Sequence, residues 1–152
     1  MIYARIGAIV YIIWGLMHLV AGAVGIWLTG QPITPDWAAG MAAVPSGDSG
    51  VADATVGLVR QHSFNIAVGG AMAILIAVFG NWNNRRLAWI LNGILIALLD
   101  LGMIIFMLIP GYVPLIDGLI GPALWIAGLA LTTLGRTKGA SNRDAVSSAA
   151  IE

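Results

Sequence analysis

The stretch IGAIVYIIWGLMHLVAGAVGIWL, residues 6–28, decides the fold. It exceeds the ~20 residues that a helix needs to cross a hydrocarbon core about 30 Å thick, and its one side chain that titrates near neutrality is His18. Three further apolar stretches follow, at 62–79, 87–109 and 115–134. With 59% hydrophobic residues, 9% charged residues and 20 glycines, the composition is that of a bundle of spanning helices. The expectation is an all-α integral membrane protein, a four-transmembrane-helix bundle filling residues 1–135. An outer loop at 29–59 joins the first two spans, and a Ser- and Ala-rich disordered tail covers 136–152.

Orientation follows from the basic residues, since positively charged connections stay in the cytoplasm. Arg5, Arg85, Arg86, Arg136, Lys138 and Arg143 fall on one side of the spans; Arg60 alone falls on the other, with Asp36, Asp48, Asp53 and Asp117. Both termini are therefore expected in the cytoplasm, with the chain in the bacterial inner membrane. The first span is too long for a signal segment and reads as a retained helix. Zero cysteines exclude disulfides, thiolate metal sites and cysteine nucleophiles. No basic run is present to make a nucleic-acid surface, so the partners expected are the lipid bilayer, a small apolar ligand and, through the glycine-rich helix faces, further copies of the chain.

Polar residues inside the apolar stretches are the candidates for function, because ionisable groups are costly in a bilayer. At ~1.5 Å per residue, His18, Asn65 and Asp100 lie about 20, 22 and 21 Å from the cytoplasmic boundary. They form one expected layer in the outer half of the membrane. His18 shares a stripe with Gly15, Gly22 and Gly25; Asn65 with Gln61, His62, Gly69 and Met72; Asp100 with Gly93, Ala97 and Met103. Small residues mark close helix approach, so all three polar groups are expected to face neighbouring helices. The fourth span offers Gly121, Trp125 and Gly128. The tryptophans otherwise read as interfacial anchors, among them Trp37, which with Met41 gives the outer loop apolar contacts.

Two readings of the layer stand side by side. A register clasp between helices needs only neutral hydrogen-bonding groups, whereas a carboxylate carries a larger desolvation penalty unless protonated or paired. Asp100 therefore favours catalysis or proton transfer, with His18, Asn65 and Asp100 as the catalytic candidates and His18 coupled directly to Asp100. Imidazole is also a common haem and metal ligand. That makes His62 a candidate axial or metal ligand, with Arg60 placed for an acidic group of the cofactor.

The stretch Arg60-Gln61-His62-Ser63, after a Gly/Pro-rich outer loop in a Cys-free four-span chain, resembles the bacterial styrene oxide isomerases. That resemblance implies haem b, His62 as its axial ligand, and a ferric iron acting as Lewis acid on an epoxide. A broader likeness covers most of the chain. The run Tyr11-Ile12-Ile13-Trp14-Gly15-Leu16-Met17-His18, the Asn81-Trp82-Asn83-Asn84 hairpin, Asp100-Leu101-Gly102 and Pro110-Gly111-Tyr112 resemble small DoxX-like inner-membrane proteins, which implies the bundle and its topology. Three functional classes remain open: a membrane enzyme, haem-assisted or not, for a small apolar substrate; a proton-coupled carrier; and an accessory structural subunit.

Overall fold

A computed structural model of the chain describes residues 1–30 and 49–149, with side chains described for 1–30 and 55–139. The turn signals Gln31-Pro32, Thr34-Pro35 and Pro45-Ser46-Gly47, and the anchors Trp37 and Met41, lie outside the described residues. Four long helices make up the rest: α1 (Ile2–Leu28), α2 (Ser49–Phe79), α3 (Arg86–Met103) and α4 (Leu115–Ala149). All four are long and apolar enough to cross a membrane. Helices suit that environment because each satisfies its own backbone polar groups where water cannot.

Adjacent helices run antiparallel, in up-down-up-down order. Gly15 meets the Gly70 carbonyl and Gly22 meets Ser63 and Ala67 across the α1–α2 seam, while Gly7 meets Thr132 and Gly135 meets Ala4 across α1–α4. On both seams the glycines let backbone approach backbone, the packing that drives helix association in lipid. A Cβ at Gly70 would stand 2.5 Å from the Gly15 carbonyl oxygen and 2.7 Å from the Leu19 nitrogen. α3 closes the ring by packing on α2 and α4, with no comparable seam against α1. The core between them holds Ala8, Tyr11, Trp14, Ala73, Ala77 and Ile96. The outer surface is apolar, with Leu98 64% exposed and Phe106 71% exposed, as lipid contact requires.

The ends of the helices differ from the sequence expectation. α2 begins at Ser49 rather than near 62, so its first turns occupy part of the expected outer loop. α4 continues past the apolar stretch at 115–134, to Ala149. Hydropathy locates the apolar part of a helix and not its end, because propagation adds one hydrogen bond per residue whether or not the side chain is apolar. Asn84 Nδ2 donates to the Gly135 carbonyl at 3.1 Å and Lys138 Nζ to the Tyr3 hydroxyl at 3.3 Å, tying this extension to the bundle.

The tight α2–α3 link is a 3₁₀ turn, Asn81–Asn83, closed by Asn84 in the left-handed region at φ 56° and ψ 34°, which asparagine tolerates better than most residues. At the far end of α3 the chain passes into a π-helical stretch, Ile104–Leu108, where Ile109 N–H bonds the Ile104 carbonyl and Tyr112 N–H the Met107 carbonyl, both at 2.9 Å. Single π turns often mark functional sites. This one begins directly after Met103, which lines the cavity described next.

Candidate functional site

α1 and α4 are zipped together by small residues at the end that carries Ala4 and Gly135 and separate at the other. Gly128 lies against the Tyr11 ring and Gly121 against Asp100 and Trp14. Beyond Gly121 the helices part around a cavity of about 230 Å³, lined by Met17, His18, Met103, Val113, Asp117 and Gly118 among others. Pro122 sits inside α4, and with no N–H it cannot close the helical bond to the Gly118 carbonyl in the cavity wall. The volume is below the roughly 300–1,000 Å³ of drug-sized pockets. It suits a smaller molecule.

His18 is held at the wall of that cavity by its own helix. Nδ1 lies 2.9 Å from the Trp14 carbonyl oxygen, and since a carbonyl can only accept, Nδ1 carries the proton. In the neutral ring this leaves Nε2 as an acceptor. The ring also stacks on the Trp14 indole, with centroids 3.6 Å apart and planes 20° apart, so its orientation is fixed by both contacts.

Trp14 is in turn tied to Asp100. Its Nε1 donates to Asp100 Oδ1 at 3.3 Å, across the diagonal from α1 to α3. Trp14 is fully buried and Asp100 only 2% exposed, yet Asp100 Oδ2 has no hydrogen-bond partner. A buried acceptor in that state is expensive. The carboxyl group is therefore not a saturated clasp: one of its oxygens is left without a partner behind the cavity wall.

The structure thus reorganises the expected layer. His18 and Asp100 are brought together, but through Trp14 and not directly, because Asp100 stands at the level of Trp14, one helical turn from His18. Asn65 is not in the group. It is exposed and sits near the level of Gly22, whose neighbours on α2 are Ser63 and Ala67. The α2 seam uses Ser63, Ala67, Gly70 and Ile74, two residues out of step with the expected stripe, and at 100° per residue that turns Asn65 about 200° away from the core.

His62 is likewise exposed and does not line the cavity. Arg60 is engaged elsewhere: Nε donates to Thr29 Oγ1 at 3.3 Å and its terminal nitrogen to the Thr29 carbonyl at 2.9 Å, placing a cation on the C-terminal end of α1 where the helix dipole favours it. These residues do not fit the haem expectation, since the axial candidate faces outward and the cation meant for the cofactor holds a helix end. Among the described residues no group of three or more His, Asp or Glu side chains could hold a metal.

A second buried polar pair escaped the sequence reading. Asn92, fully buried, donates through Nδ2 to Asn81 Oδ1 at 2.8 Å and to the Ala73 carbonyl at 3.2 Å. Asn92 Oδ1 and Asn81 Nδ2 have no partner. Asn92 lies inside the third apolar stretch, so the rule that singled out Asp100 also applied to it. Trp14 carried no such signal, because a tryptophan in a spanning helix reads as an anchor until its burial is known. Comparison with protein-family models, curated proteins and solved structures gives no match to this chain.

Proposed function

We propose that the chain is a multi-pass protein of the bacterial inner membrane, with both termini in the cytoplasm, that performs acid–base chemistry on a small, largely apolar molecule entering from the outer leaflet. The observation that carries this reading is His18 at the wall of the cavity, its Nδ1 proton committed to the Trp14 carbonyl. A positioned imidazole with a free acceptor nitrogen is the commonest general base. Asp100, linked to the same indole, would hold or return the proton, and apolar walls would exclude water from the exchange.

An enzyme is favoured over a carrier by the closure below the cavity. Trp14 and Tyr11 fill the core there with no exposed surface, and both α1 seams are in backbone contact. That geometry supports access from one side. The six basic residues at the other end support the assigned topology.

The test uses the purified protein in nanodiscs in D₂O with a panel of small ketones and epoxides, scanned by mass spectrometry for deuterium uptake or rearranged product. Turnover that is lost in His18→Gln at an unchanged melting temperature is the expected result. A silent panel combined with His18-dependent proton flux into liposomes would move the protein to the carrier class.

A further inference from the structure

A second concave surface lies at the other end of the molecule, on the outside of the bundle between α2 and α3. It is a groove of about 340 Å³ bordered by Met72, Leu75, Phe79, Leu87 and Leu91, with Arg85 at its end. Between Met72 and Phe79 it follows α2 for ~10 Å. Its floor is set by the close crossing at Gly80, where an added Cβ would collide with Ala88. Leu75, Phe79 and Leu87 are 54%, 67% and 67% exposed, so the groove opens to lipid.

The cations at this end are not equivalent: Arg85 and Arg86 both lack a side-chain partner among the described residues, but only Arg85 borders the groove. The Arg5 guanidinium lies over the Trp82 ring at 5.6 Å, that of Arg136 over Trp89 at 5.5 Å, and Lys138 over Tyr3 at 4.5 Å. The Arg85 side chain has no hydrogen bond or ion pair with any described residue. The acidic side chains described, Asp100 and Asp117, lie in the core and at the opposite end of the bundle. An apolar channel running along the helices and ending on a guanidinium with no partner among the described residues, at headgroup level, is complementary to one kind of molecule, with chain and anion in that order.

The geometry points to a site for an anionic phospholipid of the inner leaflet, with an acyl chain in the α2–α3 groove and the phosphate on Arg85. A second copy is the poorer occupant. A two-fold contact on this face repeats the same patch on both subunits and would set the two Arg85 side chains near each other.

The experiment releases the protein from nanodiscs containing equal amounts of phosphatidylglycerol and phosphatidylcholine with matched chains, and counts retained lipids by native mass spectrometry. A juxtamembrane Arg is worth ~1 kcal/mol toward an anionic lipid, about a fivefold preference, and that preference is expected in the wild type. Arg85→Gln should bring the ratio close to one, and Leu91→Trp, which fills the groove, should reduce retention of both lipids. Glycerol phosphate, which has the anion without the chains, should not displace bound phosphatidylglycerol. A wild-type ratio near one, an unchanged ratio in Arg85→Gln, or full displacement by glycerol phosphate would overturn the proposal. So would a dimer that retains no lipid, which would assign the groove to a second copy.

Discussion

Removing the indole donor tests the connection between α1 and α3 most directly. In Trp14→Phe the ring's place in the core is largely kept but Nε1 is lost, and Asp100, whose Oδ2 already lacks a partner, would have neither oxygen bonded. An unsatisfied buried acceptor costs about 1–3 kcal/mol. The coupling itself is smaller, since double-mutant cycles in membrane bundles average about 0.6 kcal/mol and reach about 1.7. A Trp14–Asp100 distance of 3.3 Å is at the long end for an N–H···O bond. We therefore expect Trp14→Phe to destabilise by about 1–3 kcal/mol and the cycle with Asp100→Leu to show a coupling of about 0.5–1 kcal/mol. Unfolding in mixed micelles, followed by far-ultraviolet circular dichroism, measures both. Because His18 reaches Asp100 only through the indole, the cycle over His18→Ala and Asp100→Leu should give the smaller coupling. Additivity of Trp14→Phe and Asp100→Leu within about 0.3 kcal/mol, or a larger coupling in the His18 cycle, would refute the connection as drawn.

Gly70→Ala should destabilise by about 1–3 kcal/mol, since its Cβ would meet backbone on α1, whereas Gly57→Ala, with nothing within 4 Å of the new Cβ, should be neutral or gain up to ~1 kcal/mol in helix propensity; melting in detergent compares the two. Asn92→Ala would leave Asn81 with both amide poles unpaired and should cost about 1–3 kcal/mol in the same assay. His62→Ala, at an exposed position, should leave stability and His18-dependent turnover unchanged, and a loss of turnover would return His62 to the site. Because the chain lacks cysteine, Gly47→Cys provides a single label, expected to react with an impermeant maleimide from outside intact cells. Reaction only after lysis would invert the topology.

That four helices are long and apolar enough to cross a membrane was legible in residues 6–28, 62–79, 87–109 and 115–134, because transfer from water is a property of composition over a window and needs no knowledge of neighbours. His18 and Asp100 were legible for a related reason: an ionisable side chain within such a window is conspicuous wherever it points. Direction was not. Asn65 shares its stripe with Gly69 one turn on and reads as inward, yet the seam runs through Ser63, Ala67 and Gly70, and only the partner helix decides which of two small-residue faces it takes. The same limit hid the role of Trp14, an apolar ring by composition, which becomes the link between His18 and Asp100 once α3 lies diagonally across the bundle from it. It also misplaced the helix ends, where hydropathy stops at the apolar boundary and backbone hydrogen bonding continues to Ala149. Sequence determined which segments are long and apolar enough to cross a membrane and which residues would be costly there, since both are sums over local chemistry. Tertiary structure alone decided which of those residues meet, because a helix rotates 100° per residue and a face becomes a core only when another helix covers it.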